Sequence, residues 1–517
     1  MAYTVGISSG YFKIASQKGS GAEFVAGIHQ KIYNSSRFGT KFTQVDIETI
    51  TEFGQPGLKD AMKKVIKEGF EFGIHGECEA IGRTTLFLDS PYRDQYKLSH
   101  ERLYLHLKHS GELGAKYMLV HSSESEPFVT LWHDLKPVDL VDFNGRPLRK
   151  LFEENPKLLD WFWKFINRED MPAQLRRYIV GENRYFEKKI ESYYYSHEGK
   201  QPPKEEADKM RKDSKEEADG QLFDFFNSQE SEYGPERLAY YIIAKYMMNS
   251  YDVLWKNIVG KDLSDADLIA KPELWVSAVA GKYIWGHFNT SLPEYKEQNL
   301  KKELEKSKMY FVMETPMASP GHELNMRFSN PLHIYYLAEC IGSDWVGVAI
   351  DFEHMLGSKI DPKETINKFP MKGGNRVKVV HLGAPVPYAP AHLGIPRASD
   401  AQVYIYERLW ELREKGFKDA WLIFERSGEE GIQDSVLSIK LIAMFLEKNV
   451  PPKDLPLEFF GLKEFGPEIK RQELTIRQHM LDPLKGLLTV HEEDFGFFGT
   501  SAHKKGKAKE WVEEEYR

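Results

Sequence analysis

Cysteine is nearly absent: two residues, Cys78 and Cys340, stand far apart in a chain of 517. That excludes a disulfide framework and points to a reducing interior. No run reaches the roughly 18 consecutive apolar residues that a membrane-spanning helix requires. The opening MAYTVGISSG has neither the basic flank nor the apolar stretch of a secretion signal, so the expected setting is the cytoplasm, without membrane attachment. Charge of one sign is not blocked along the chain. The formal net charge of −8 argues against wholesale coating of nucleic acid, while leaving room for a local basic groove or a small anionic substrate. There is no repeat of fixed period.

What the chain has is a series of short apolar runs with strand character: YTVGIS (3–8), FTQVDIET (42–49), FEFGIH (70–75), KYMLVH (116–121), MYFVMET (309–315), VGVAID (346–351), VKVVHL (377–382) and AWLIFE (420–425). Segments of helical period lie between them, including 56–69, 99–114 and 400–416. Near-continuous apolar strands alternating with helices predict a parallel sheet covered on its outer face. Eight such units predict an α/β fold, the (β/α)8 TIM barrel.

The alternation fails between strands four and five. Residues 125–305 are aromatic and charged, and read as a large helical insertion after strand 4, serving as a lid or an interface. Its polar middle, 197–220, reads as a mobile link or an exposed helix. The barrel is then built from 1–124 and 306–463, close to the usual length of about 250 residues. A C-terminal extension, 464–517, ends in a lysine cluster read as a solvated tail.

In a parallel barrel the strand C-termini converge on one opening, which is where reactive side chains gather. Strand three ends in His75, strand four in His121, strand five in Glu314, strand six in Asp351 with His354 just after it, strand seven in His381 and strand eight in Glu425. His392 lies in the loop after strand seven. Taken singly, a strand-end histidine is commonly a hydrogen-bonded structural residue, and a strand-end acid commonly caps the next helix. Crowded together, the carboxylates would repel one another unless a cation stood between them. Imidazole with carboxylate is a donor set for zinc, and added carboxylate favours a harder ion. His100, His106 and His109 lack an acidic partner nearby and read as amphipathic or solvated positions, while His133, His197 and His287 show no evident partners. Arg83, Lys372 and Arg426 are candidate phosphate-positioning charges at the rim, each also readable as an ordinary surface charge.

These strand-end segments resemble the xylose isomerase-like barrel superfamily, and within it endonuclease IV, over roughly 1–124 and 306–460. The segments that carry the resemblance are FGIH (His75), LGAKYMLVHSS (His121), METPMASPG (Glu314), AIDFEH (Asp351, His354), VVHLG (His381) and IFERSG (Glu425). The resemblance implies Zn2+, two ions or three, bound by these residues and His392, with Glu314 bridging two of them. It implies hydrolysis of phosphodiester bonds at abasic sites in DNA, with Glu314, Glu425 and His354 as catalytic residues. Three departures stand out. Pro390 occupies the position of an aspartate that the family uses with the loop histidine for its third zinc. GISSG lacks the family's strand-one histidine. No aromatic side chain that would probe the DNA stack follows His75.

The alternative from the same superfamily is a sugar isomerase or epimerase using a single Mn2+ or Mg2+ on Glu314, Asp351, His381 and Glu425, with a small sugar as substrate. His75 and His121 have no required task in that scheme, which favours the hydrolase. A scaffold without catalysis, assembling through the aromatic insertion, is the third reading.

Overall fold

The computed structural model describes residues 2–10, 27–47, 50–76, 86–122, 140–166, 168, 182–197, 200–225, 235–316, 327–385, 392–425 and 431–461. Eight parallel strands close into a barrel in chain order: β1 (Tyr3–Ser8), β2 (Phe42–Asp46), β3 (Glu71–His75), β4 (Tyr117–His121), β5 (Tyr310–Glu314), β6 (Val346–Asp351), β7 (Val377–Leu382) and β8 (Ala420–Phe424). The closing pair is β1 with β8, in register from Tyr3↔Ala420 to Ile7↔Phe424. Both faces of these strands are covered, so the runs are apolar throughout rather than alternating. Seven of the strand ends agree with the sequence expectation to within a residue. The second stops at Asp46, short of the expected 49.

The barrel interior is plugged by Phe42, Tyr117, Leu119, Val312, Ala349, Val379 and Ile423. Glycine makes room for the largest of these. A Cβ on Gly73 would lie 2.3 Å from the Tyr117 ring, and one on Gly6 would lie 2.8 Å from both Phe42 and Ile423. Tyr117 thereby spans the lumen, and its hydroxyl donates to Gln44 Oε1 at 2.9 Å.

Seventeen α-helices are found in chain order among the described residues. The three that coat the first strands are α1 (Ile28–Ser36), α2 (Leu58–Lys67) and α3 (Arg93–Leu113). The long excursion between β4 and β5 contains α4 (Leu148–Glu154), α5 (Pro156–Ile166), α6 (Glu182–Ser196), α7 (Lys204–Phe225), α8 (Pro235–Asn249), α9 (Val253–Ile258), α10 (Asp265–Ala270), α11 (Val276–Asn289) and α12 (Leu300–Ser307). The remaining wall is α13 (Pro331–Ile341), α14 (Phe352–Gly357), α15 (Pro362–Lys368), α16 (Asp400–Glu414) and α17 (Ile432–Glu447). Starts are set by side-chain caps: Asn330 accepts from Leu332 N ahead of α13, Asp361 from Glu364 N ahead of α15 and Ser399 from Gln402 N ahead of α16.

The excursion is as helical as its pattern predicts, and its aromatics are core. Trp275, Tyr241, Tyr283, Phe162 and Phe165 are fully buried, in one hydrophobic cluster with the barrel's outer helices. α11 packs on α13, and α12 packs on α3 as the helix that leads directly into β5. The polar middle is the helix α7, whose described side chains are mostly exposed. None of the helices among the described residues is long and apolar enough to cross a membrane. The extension 464–517 lies outside the described residues.

Two expectations are corrected here. His100 and His106 are not solvated but fully buried, because α3 packs against β4 and α12 and meets α11 at the contact of His100 with His287. His287 has partners: its ring nitrogen Nδ1 is 3.3 Å from that of His100, and its Nε2 donates to Leu88 O at 3.1 Å. His100 in turn donates from Nε2 to Gln298 O at 3.1 Å, and its ring packs against Tyr295. The pair joins a barrel helix to an inserted one.

Candidate metal centre

Strand register brings the reactive residues to one level. Asp46 pairs with His75, His121 with Glu314 and Asp351 with His381. All of the sequence-nominated donors converge on the C-terminal mouth, in three groups whose donor atoms lie within 4.8 Å of one another: His75, His121 and Glu314; Glu314, Asp351, His381 and Glu425; and Asp351, His354 and His392. Two residues are shared, so the groups are contiguous.

Glu314 is fully buried and divides its carboxylate between two groups. Oε2 is 3.3 Å from His75 Nε2 and 3.8 Å from His121 Nε2. Oε1 is 2.7 Å from His381 Nδ1 and 3.4 Å from His354 Nδ1. Asp351 divides its carboxylate as well. Oδ1 accepts from His354 N at 2.8 Å and caps α14, while Oδ2 lies 3.9 Å from His381 Nδ1 and from His354 Nε2. The helix-capping role that a strand-end acid usually plays is therefore present, and it leaves one oxygen for the site.

His381 shows why a cation fits. Its Nε2 donates to Gln44 Oε1 at 2.8 Å, so Nδ1 is the nitrogen turned into the group. That nitrogen faces Glu314 Oε1, Asp351 Oδ2 and, at 2.5 Å, Glu425 Oε2. Glu425 Oε2 is buried and not aligned for a hydrogen bond despite this proximity. A single N–H cannot satisfy three carboxylate oxygens, whereas a divalent ion can. Gln44 is in turn fixed by Tyr117, so the floor of the barrel orients the ligand above it.

Electrostatics agree. Burial alone would raise the Glu314 carboxyl and lower the imidazoles. The charge partners win: His381, His354 and His75 hold Glu314 well below its ordinary range. Against burial, Glu314 and Glu425 keep His381 well above the ordinary imidazole value. Asp351 and Glu314 raise His354 to about 10 against the same burial, and Glu353 and Glu425 raise His392 to about 9. Metal-free, the acids are balanced by imidazole protons, which a cation would displace.

Donor softness differs between the groups. Two imidazoles with one carboxylate suit zinc; three carboxylates with one imidazole suit a harder ion equally well.

Residues that the sequence reading overlooked are Gln44, Asp46, Tyr117 and Glu353. Extending the second strand to 49 hid Asp46 in mid-strand. It is instead the strand's last residue, 5% exposed, with both carboxylate oxygens bonded to Ser8 Oγ at 3.0 and 3.2 Å. Glu353 stood in full view within AIDFEH, between two nominated ligands. Of the rim charges, Lys372 is corrected: it precedes β7 and so lies at the opposite, N-terminal end of the barrel. Arg83, Arg426 and Pro390 lie outside the described residues.

No family model matches the chain, and no curated protein matches it. Solved structures do. A D-tagatose 3-epimerase-like protein superposes with a TM-score of 0.42 at 12% identity, covering 86% of this chain and 97% of that one. D-psicose 3-epimerase in the presence of D-fructose gives 0.39 at 11%, covering 86% and 99%. D-allulose 3-epimerase from Methylomonas sp. gives 0.40 at 8%, covering 87% and 98%. Likeness at this level transfers no chemistry, which has to be argued from the side chains.

Proposed function

We propose that the barrel mouth is a divalent-metal centre of an enzyme that hydrolyses a phosphodiester, with abasic DNA as the substrate to test first. The observation that carries this reading is the split carboxylate of Glu314, whose two oxygens face separate donor groups and so suit two adjacent cation positions. His75, His121 and Glu314 would hold one ion; Glu314, Asp351, His381 and Glu425 would hold the other. Divalent ions so held supply charge stabilisation at phosphoryl oxygens and a lower pKa for water.

The chain's own residues do the rest. Glu425, with a side chain 21% exposed against 0% for Glu314 and 4% for Asp351, is the carboxylate of this group open to an arriving substrate. In this reading it accepts a proton from the attacking water. His354, held through Nδ1 by Thr315 O at 2.9 Å, keeps Nε2 on the side of Asp351 Oδ2, where this reading uses it toward a cation. Burial of Glu314, His75 and His381 excludes bulk water from the centre.

A sugar epimerase using one ion is the second reading. It is favoured by the completeness of the Glu314, Asp351, His381 and Glu425 group, which needs nothing from His75 or His121. The solved barrels above carry epimerase names, but superpositions at that score do not decide between the two.

One experiment separates them. Purified protein reconstituted with Zn2+ or Mn2+ is assayed on an abasic duplex and on a ketose, with metal content measured in parallel. The hydrolase reading expects two or more zinc ions and strand cleavage. One manganese ion with epimerisation and no cleavage would replace it with the second reading.

A further inference from the structure

Glu353 lies outside the groups that converge on Glu314, yet its side chain is buried, with the residue only 2% exposed. Its Oε2 meets one residue twice: it accepts a hydrogen bond from His392 N at 3.0 Å and makes an ion-pair contact with the ring nitrogen Nδ1 of His392 at 3.1 Å. Its Oε1 is buried without a hydrogen-bond partner. Space for this carboxylate is kept by Gly383, just after β7, where a Cβ would stand 3.3 Å from Glu353 Cδ and Oε1. A buried carboxylate with one idle oxygen is costly unless it serves something nearby. His392 is the residue served. Its backbone has φ 40°, in the left-handed region that non-glycine residues seldom adopt. The hydrogen bond and the ion-pair contact to Glu353 hold it there.

His354 is oriented in the same manner. Its Nδ1 donates to Thr315 O, which leaves Nε2 on the side of Asp351 Oδ2. Both rings are thus tied through Nδ1 to oxygen acceptors outside the group, and their centroids are 5.5 Å apart. Acceptors placed this way fix tautomer and ring orientation in metal-binding histidines.

We propose that Glu353 is the positioning residue for the third donor group, Asp351, His354 and His392, a cation position that the resemblance already implies. It holds the Nδ1–H and backbone N–H of His392, so that Nε2 is the nitrogen offered to the ion. The ligand is a divalent cation that accepts imidazole, zinc being the best match to two imidazoles and a carboxylate. This inference rests on the metal-centre reading of the mouth, and it adds a residue to which that reading assigns nothing.

The test uses the full chain reconstituted with zinc, comparing wild type with Glu353→Ala and Glu353→Gln. Bound zinc is counted by mass spectrometry, and the affinity of each ion is measured by competition with a chelating dye. Wild type is expected to hold one more ion than Glu353→Ala, or to hold the weakest ion 10- to 100-fold more tightly. Glu353→Gln, which keeps an oxygen acceptor for Nδ1–H, is expected to recover part of that loss. A residue that merely filled space would show no such recovery. Equal stoichiometry and affinities in all three proteins overturn the inference while leaving the other cation positions standing. Wild type without any bound zinc overturns the metal-centre reading instead. If Glu353→Ala fails to fold, Glu353→Gln decides: a selectively weakened last ion supports the proposal, and unchanged binding overturns it.

Discussion

Single side chains at the mouth serve two neighbours at once. Asp351 caps a helix with one oxygen and faces the donor group with the other, and Glu314 reaches four imidazoles with its two. Consequences of mutation follow from which neighbour is lost. Glu314→Gln keeps the shape but halves the acceptor capacity between the two positions. Metal content measured after dialysis is expected to fall at both, with activity reduced by at least about a hundredfold. His121→Ala removes a ligand from only one position. It is expected to abolish cleavage of an abasic duplex while sparing an epimerase, so the ratio of the two activities reads out which chemistry is native. Gln44 touches no candidate ion. Because it anchors His381 Nε2, Gln44→Leu is expected to weaken metal binding 10- to 100-fold, as followed by a zinc titration.

Strands and helices set the level at which those side chains meet. The parallel register aligns His121 with Glu314 and Asp351 with His381, and a slip of one residue would turn each to the opposite face. Inside the barrel the same precision appears as packing. Gly73 is the partner of a ring: any side chain there would enter Tyr117, which cannot move because its hydroxyl is tied to Gln44. Gly73→Ala is expected to cost about 1–3 kcal/mol, seen in urea denaturation, and to loosen His381 through the Tyr117–Gln44 chain. The strand elements were legible because buried parallel strands are continuously apolar. The end of β2 was not, because IET after Asp46 continues a β-like composition with nothing to mark the stop.

At the scale of the molecule, the excursion between β4 and β5 is welded to the barrel by buried groups that include histidines. Burial lowers His100 to about 4 and holds His287 well below its ordinary value, with the charge of His100 adding to the effect on its neighbour. Burial likewise lowers His333, bonded to Ser277 in α11, to about 4. Folded pKa values below the ordinary 6.5 mean that the unfolded chain takes up protons first. The stability that these three histidines contribute is therefore complete above about pH 6.5 and lost as pH falls toward 4, by about 3 kcal/mol for His333. Denaturation midpoints measured between pH 7.5 and 4.5 should fall accordingly, and His333→Phe should flatten the slope.

The amino-acid sequence by itself determined the eight strands, the helical character of the excursion and which candidate donors, from His75 to Glu425, stand at the strand ends. Each of these is written in local periodicity or in the residue that ends a strand. Only the tertiary structure decided that Glu314 faces two groups, that Glu353 attends His392 and that His100 meets His287 across 187 positions. Such relations depend on barrel closure and on which face of α3 the inserted helices cover. Those long-range contacts leave no periodic trace in the chain.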